Sequence, residues 1–182
     1  FNVMYWLLGF LRMGTSGMTS QAFGREDTAE CIRILVRSLT IGLAFGLLFI
    51  LTQSGLEWGL LRLMNTPEAS WEYVTIYFQI VIWGAPAMLG LYSLTGWFIG
   101  MQDTRTPMGV AILQNLVNIL ASLSLVFVLG WGIAGVAAGT LLAQWIGFLV
   151  ALLGAWKRIH KVNGLQNKQW LATETWSRLV RV

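Results

Sequence analysis

Polar side chains inside a long apolar run are the residues of this chain best suited to chemistry. The run extends from Thr106 to Trp156 and contains no Asp, Glu, Lys or Arg. Hydroxyl and amide groups interrupt it at Gln114, Asn115, Asn118, Ser122, Thr140 and Gln144. Amide groups can line a ligand cavity, and they can equally well hydrogen-bond one helix to another. The residue types leave both roles open.

One basic residue also lies inside an apolar stretch. Arg12 falls near the centre of the first predicted span if that helix ends near Phe23. A charge at that depth costs about 2.5 to 3.5 kcal/mol, so Arg12 should face a cavity or a partner. No acidic residue lies deep in a predicted span, so a neutralising carboxylate would have to come from a helix outside this chain. The alternative is that the guanidinium reaches the headgroups or hydrogen-bonds backbone carbonyls.

The apolar run is long enough to form two of the helices that position these side chains. About 20 apolar residues span a bilayer, so the run should cross it twice. Glycines between Leu129 and Gly135 divide it and predict helices over 107–129 and 133–156, joined by a tight loop. At about 100° per residue, the polar residues of the first helix share one stripe, and the two of the second lie one turn apart. We therefore expect a polar seam in this helix pair.

Three further spans precede the pair. The first helix is already under way at residue 1, which predicts that the chain is a fragment. Asp27 or Thr28 is a suitable N-cap for a second span from about Glu30 to Gln53. The third runs from Tyr73 to Gln102 and should kink at Pro86, which lacks an N–H. The segment between the second and third spans is mixed in character and predicts an interfacial connection with a short amphipathic turn.

Small and aromatic residues indicate how these helices pack and where they end. Three pairs of glycines are spaced four residues apart, which predicts close helix approach. The pairs are Gly42 and Gly46, Gly96 and Gly100, and Gly135 and Gly139. Tryptophans near the predicted span ends suit an aromatic belt at the membrane interface. They are Trp58, Trp71, Trp97, Trp131, Trp156 and Trp170.

Composition supports an all-α integral membrane protein with about five transmembrane helices. Apolar residues make up 56% and charged residues 11%, against about 45 to 50% and about 25% in soluble domains. The sequence has no metal-binding His and Cys cluster, phosphate-binding glycine loop or Ser, His and acid set, and His160 is its only histidine. We therefore expect neither an enzyme nor a cofactor.

The basic residues are better explained by topology than by a nucleic-acid partner, although the net charge is +4. If the first helix runs inward, nearly all of them fall on one side of the membrane, as the positive-inside rule requires. That inner set is Arg25, Arg33, Arg37, Arg105, Lys157, Arg158, Lys161 and Lys168, with Arg62 outside. This orientation places segments 24–37 and 103–106 and the polar tail in the cytoplasm.

Four sequence motifs resemble a known family. The run from Gly9 to Gly24 is similar to the second helix of MATE transporters, the multidrug and toxic compound extrusion antiporters, in their DinF-like branch. Similar motifs occur at 83–87, at 96–103 followed by Pro107, and at 132–140. The resemblance implies a protein of two six-helix lobes, of which residues 1–162 supply helices two to six of the first lobe. Residues 163–182 would be a cytoplasmic connection towards a second lobe.

The family pattern also implies site residues, and this chain departs from it at two positions. Family members commonly carry an Asp four residues after the Asn that corresponds to Asn118, where this chain has Ser122. DinF-like members often carry an Arg where this chain has Val81. The coupling ion, H⁺ or Na⁺, and the substrate charge are therefore open.

The resemblance predicts secondary active efflux of drugs or organic cations by a multi-pass protein of the bacterial plasma membrane, the inner membrane in a Gram-negative cell. The partners would be the small-molecule substrate, membrane lipid, the first helix and the second lobe. Two alternatives remain. One is a lipid-linked precursor flippase of the same superfamily, which should carry more cationic residues than Arg12 in its cavity helices. The other is a non-transporting membrane scaffold.

Overall fold

Every regular element in the described part of the chain is helical. The structure is a computed structural model that describes residue 6 and residues 9–179, with side chains described up to residue 161 and at residue 163. The α-helices are α1 Phe10–Gly24, α2 Thr28–Leu51, α3 Gln53–Leu63, α4 Trp71–Val81, α5 Ala85–Gly100, α6 Arg105–Leu123 and α7 Gly132–Leu179. Short 3₁₀ turns occupy Glu68–Ser70 and Ile82–Gly84, and a π-helical turn occupies Ser124–Val128.

Four helical segments within the described residues are long and apolar enough to cross a membrane. They are Thr28–Leu51, Glu68–Gly100, Arg105–Val128 and Gly132–Lys161. These segments confirm the four spans predicted after the first. The first predicted span corresponds to α1, but residues 1–5, 7 and 8 lie outside the described residues.

Aspartates fix two of the helix starts. Asp27 Oδ1 accepts a hydrogen bond of 3.0 Å from the backbone N–H of Glu30, which confirms Asp27 as the N-cap of α2. Asp103 Oδ1 accepts 3.1 Å bonds from the backbone N–H groups of Arg105 and Thr106 at the start of α6. These two polar turns therefore set where α2 and α6 begin.

The predicted kink at Pro86 is confirmed as a break between α4 and α5. The helix tightens to a 3₁₀ turn at Ile82–Gly84, and Pro86 lies in the first turn of α5. Proline cannot donate a backbone hydrogen bond and its ring crowds the preceding turn, so the regular helix ends just before it. The two halves still form one candidate span.

Helix α5 is the centre of the packing, in contact with α1, α2 and α7. Glycines allow the backbones to meet, as predicted from their spacing. A Cβ at Gly42 would lie 3.0 Å from Leu89 O, and one at Gly100 would lie 2.7 Å from Ser16 O. A Cβ at Gly135 would lie 3.1 Å from Leu125 C, so the third pair works in the same way between α7 and the π-helical turn that follows α6.

Two side chains of α5 bond it to the backbone of α2. Ser93 Oγ donates to Ser38 O at 2.9 Å, and Trp97 Nε1 donates to Cys31 O at 2.9 Å. Trp97 is only 1% exposed, so its assignment to the interfacial belt was wrong. A tryptophan near a span end satisfies its N–H equally well in the protein interior when a backbone carbonyl faces it.

Two boundaries differ from the sequence prediction. Helix α7 continues to Leu179 instead of ending at Trp156. Loss of hydropathy ends a membrane span, but residues 157–179 contain no proline, so a helix can continue through them. The connection after the second span is also more helical than expected, since α3 occupies Gln53–Leu63. The role of residues 163–182 as a connection stays a prediction.

Candidate functional site

The polar stripe of α6 lies partly against the glycines of α7. A Cβ at Gly147 would lie 3.2 Å from Gln114 Cδ, and a Cβ at Gly139 would overlap Ser122 Oγ. Both polar side chains are half-buried. Glycine in α7 therefore makes room for polar side chains of α6, which is the arrangement expected of residues that hold two helices together.

Asn118 and Asn115 occupy different positions on the same stripe. Asn118 is half-buried, and its Oδ1 accepts a 3.0 Å hydrogen bond from Ser122 Oγ. Asn115 is exposed at the edge of the stripe. The stripe therefore has half-buried residues on the side of α7 and an exposed residue, Asn115, at its edge. Asn118 belongs to the half-buried part.

The second half of the predicted seam is the pair Thr140 and Gln144 of α7. Thr140 is half-buried, and its Oγ1 donates to Val136 O at 3.0 Å within its own helix. Gln144 is 7% exposed, and a Cβ added at Gly84 would overlap its Oε1. Gln144 therefore lies against the break between α4 and α5. Its place in a polar seam with α6 stays a prediction.

The contact between α7 and the helix break is the polar feature that sequence reasoning missed. Among the described residues no donor reaches Gln144 Oε1. The adjacent Trp145 donates from Nε1 to Trp83 O at 3.2 Å. Gly84, which immediately precedes Ala85 and Pro86, was the available signal, because a kinked helix exposes backbone where only a glycine lets a side chain approach.

Arg12 is exposed on α1, as expected of a charge that needs a neighbour outside the described helices. Its backbone lies against α5, since a Cβ at Gly96 would overlap Arg12 O. The ion pairs recorded among described side chains involve Arg33, Arg37 and Arg158, not Arg12. Its pairing with a carboxylate on another helix stays a prediction.

An ion pair closes the end of the bundle that carries most of the basic residues. Arg158 of α7 lies 2.5 Å from Asp103 Oδ2, and Thr106 Oγ1 donates to the same oxygen at 2.8 Å. Burial alone would raise the pKa of Asp103, but the hydrogen bonds from Thr106 and Arg105 and the charge of Arg158 outweigh it and lower that pKa. Asp103 therefore stays ionised and ties α7 to the start of α6.

The arrangement suits binding better than bond-breaking chemistry. The stripe offers amide and hydroxyl groups and no carboxylate, so it can orient a ligand but cannot neutralise a cation by itself. In the part of the chain that the structure describes, no three His, Cys, Asp or Glu side chains gather as metal ligands would. What distinguishes the stripe is that α6 leaves most of its surface open.

Sequence comparisons place this helical membrane chain among transporters. The MatE family model matches residues 1–124. DNA damage-inducible protein F of Escherichia coli is 32% identical over 167 residues, which cover 92% of this chain and 36% of that protein. The probable multidrug resistance protein YoeA of Bacillus subtilis is 27% identical over 169 residues, covering 88% and 36% of the two chains.

Solved structures agree with the fold. An inward-facing multidrug resistance MATE family transporter of the MOP superfamily superimposes with a TM-score of 0.73 at 24% identity, covering 80% of this chain and 33% of that chain. A MOP superfamily transporter from Pyrococcus furiosus, described as having a binding pocket of reverse polarity, gives a TM-score of 0.73 at 25% identity, with coverage of 80% and 32%.

The fold defines a multi-pass, all-α integral membrane protein. The chain belongs to the MatE family, whose members are transporters and not enzymes. It spans about a third of the length of the relatives and solved structures it matches, as their coverage of 36% and 33% shows.

Proposed function

We propose that this chain forms part of a secondary active transporter that exports drugs or organic cations in exchange for H⁺ or Na⁺. Membership of the MatE family is the observation that carries the proposal. The relative YoeA is named a probable multidrug resistance protein, and the structural neighbour is a multidrug resistance transporter. Bacterial relatives favour the plasma membrane as the location.

The polar stripe of α6 is the part of this chain we assign to the substrate or ion pathway. Asn118 is its central residue, flanked by Asn115 and Ser122, and Gln114 of the same helix and Thr140 of α7 are assigned with it. We also assign Gln144 of α7 and Arg12 of α1 to the pathway. Large apolar cations need hydrophobic walls with a few orienting dipoles, and an amide carbonyl meets a cation without the cost of a buried carboxylate.

Transport requires more than the helices described above. In alternating access, substrate crosses between two lobes that rock about a central site. The 182-residue chain covers about a third of its relatives, so we assign the remaining helices, including a first helix and a second lobe, as its partners. The chain alone should therefore bind lipid and assemble as a bundle without exchanging drug for cation.

Reconstitution in liposomes tests this function. The chain alone should give no drug-for-cation exchange, whereas the chain joined to the remaining two thirds of a MatE transporter should export a fluorescent cation when a proton or sodium gradient is imposed. Exchange by the chain alone would contradict the assignment to part of a two-lobe transporter. Absence of exchange by the assembled, monodisperse protein would contradict the transport function.

Ser122 allows the coupling ion to be tested separately. Ser122→Asp in the assembled transporter should increase the pH or sodium dependence of export, because it places a carboxylate one turn from Asn118. Ser124→Asp is the matched control, since Ser124 is exposed and bonds only Leu120 O. If both variants leave the two dependences unchanged, Ser122 does not mark a coupling position.

A further inference from the structure

Helix α7 changes from apolar to basic along its exposed side, where it leaves the membrane span. We propose that this change marks a binding site for an acidic phospholipid, in the leaflet next to the end of the bundle where most basic residues gather. The site consists of Trp156, Lys157, His160 and Lys161, which we call the basic face of α7. It is separate from the polar stripe of α6, and it does not depend on the transport function proposed above.

The exposed side of α7 runs without a break from the span into the basic face. Leu149, Leu153 and Trp156 are 51%, 56% and 57% exposed. At about 100° per residue these three side chains and His160 share one stripe about 60° wide. Acyl chains that lie along the two leucines therefore bring a headgroup to the level of Trp156 and His160.

The other side of this helix segment packs against the protein. Ala151 and Ala155 are buried, and Arg158 pairs with Asp103 at the start of α6. These contacts fix the rotation of α7 about its own axis. The basic face consequently points away from the bundle, and Lys157, His160 and Lys161 are all exposed on it.

Charge selects an acidic headgroup. The ion pairs recorded among the described side chains do not include Lys157 or Lys161. The nearest acids along the chain are Asp103, which already faces Arg158, and Glu174. Basic residues close to a membrane attract acidic lipids, and two lysines one turn apart can approach the same phosphate. A headgroup without net charge gains less from them.

An aromatic stack sets the depth of the basic face. The rings of Trp156 and His160 are stacked, with centroids 5.5 Å apart and an interplanar angle of 29°. Tryptophan prefers the membrane–water interface, where the headgroups lie. The stack therefore holds the imidazole at headgroup level, where a ring N–H can donate a hydrogen bond to a phosphate oxygen.

Arg33 and Arg37 of α2 provide a matched comparison within the same chain. They are exposed, they lie one turn apart, and α2 begins at the same end of the bundle, where Thr28 and Arg158 line one small pocket. Glu30 pairs with both arginines, at 3.1 and 3.7 Å. Because the protein already partly neutralises their charge, an acidic lipid should gain less there than at Lys157 and Lys161.

The ring signal of His160 in nuclear magnetic resonance tests the site. His160 is the only histidine of the 182 residues, so the assembled transporter gives one signal when histidine is labelled in this segment alone. In phosphatidylcholine nanodiscs, a rising fraction of phosphatidylglycerol with the same acyl chains should shift that signal saturably. Soluble glycerol phosphate should not shift it, because it has no acyl chains to lie along the leucines.

Two outcomes of this titration would overturn the proposal. A His160 signal that does not move with phosphatidylglycerol would show that no acidic headgroup reaches the basic face. An equal shift with glycerol phosphate would show a site for a free anion instead of a lipid. Loss of transport with an intact His160 shift would contradict only the transport function, and the reverse result would contradict only the lipid site.

Double variants separate a local site from the general attraction between a basic surface and an acidic membrane. Lys157→Gln with Lys161→Gln should weaken phosphatidylglycerol binding about twentyfold, since each lysine near acidic lipid contributes roughly a fivefold factor. Arg33→Gln with Arg37→Gln removes the same charge and should leave the binding nearly unchanged. Equal losses in the two double variants would contradict a site on α7.

A conservative double variant tests whether charge is the cause. Lys157→Arg with Lys161→Arg keeps both charges, and guanidinium groups also bind phosphate, so the affinity should stay within about threefold of wild type. The substituted side chains are exposed, so each variant should keep the wild-type melting temperature. A loss as large as that of the glutamine variant would rule out recognition of the lipid by charge.

Discussion

The span that contains α5 and the span that contains α6 are both strongly apolar, but their surroundings differ. In an 18-residue apolar window of each span, half of the residues of Glu68–Gly100 are buried inside the protein, against 6% of those of Arg105–Val128. Helix α5 packs on α1, α2 and α7, and α6 packs mainly on α7. Hydropathy therefore identifies the membrane spans. The glycines that allow close contact identify the span that is packed among other helices.

The difference assigns separate roles to the two helices. Close approach at Gly96 and Gly100 and the bonds from Ser93 and Trp97 make α5 the structural centre. Helix α6 uses one face for α7, and little of its remaining surface is buried inside the described part of the protein. Substitutions in α5 should therefore act mainly on stability, and substitutions on the α6 stripe mainly on transport.

The largest effect should come from adding volume where α2 meets the start of α5. A Cβ at Gly46 would lie 2.6 Å from Pro86 N, so Gly46→Leu should destabilise the bundle by at least about 3 kcal/mol or prevent folding. Gly109→Leu in α6 is the control, because a Cβ there meets nothing within 4 Å. Equal thermal stability of the two variants in detergent would contradict the contrast between the helices.

The next effect concerns the break between α4 and α5. Gly84→Ala should displace the Gln144 amide and cost about 1 to 3 kcal/mol, since the new Cβ overlaps Gln144 Oε1. The double variant with Gln144→Ala should recover most of that loss, because the smaller side chain leaves room. Additive losses in this double-mutant cycle would show that Gln144 does not hold the break.

A smaller effect is expected at the ion pair that joins α7 to the start of α6. Asp103→Asn keeps a carbonyl oxygen to cap α6 but loses the charge that faces Arg158, which should cost about 1 kcal/mol near neutral pH. The folded-state pKa of Asp103 lies below its ordinary 3.8, so the wild-type advantage should persist above that pH and disappear as the pH falls below it. A stability difference that stays constant through this acid range would rule out the ion pair as its source.

The smallest stability effect should be at Asn118. If Asn118 lines the pathway, Asn118→Ala in the assembled transporter should lower drug export while thermal stability stays near wild type. If it only joins helices, stability should fall with activity by about 0.6 kcal/mol, as a typical hydrogen bond in a membrane protein does. Measured export and melting temperature together distinguish the two roles.

Much of the fold follows from local sequence signals. Charge-free runs predicted the spans, Pro86 predicted the break, Asp27 predicted a helix start, and glycine pairs predicted close contacts. Each of these signals can be recognised in one continuous stretch of sequence, without knowledge of which helices pack together. The resemblance of the sequence motifs to MATE transporters predicted the family, which those local signals could not.

The missed features depend on which neighbour a helix face meets. Thr140 and Gln144 are one helical turn apart, but that spacing does not predict that Gln144 packs against Gly84. The position of Trp97 near a span end does not predict that its indole N–H donates a hydrogen bond to Cys31 O on another helix. Arg158 looked like a topology signal, and only packing brings it to Asp103, 55 residues away in the chain.

Cysteine accessibility in the assembled transporter tests most directly the claim that the α6 stripe faces the transport pathway. Asn115 and Leu120 are both exposed on α6, and at about 100° per residue they lie on nearly opposite sides. With the native Cys31 replaced by alanine, Asn115→Cys should react with a charged, water-soluble thiol reagent and should be protected by drug, whereas Leu120→Cys in the lipid should not react. Equal reactivity at the two positions, or an unreactive Asn115→Cys, would contradict the account.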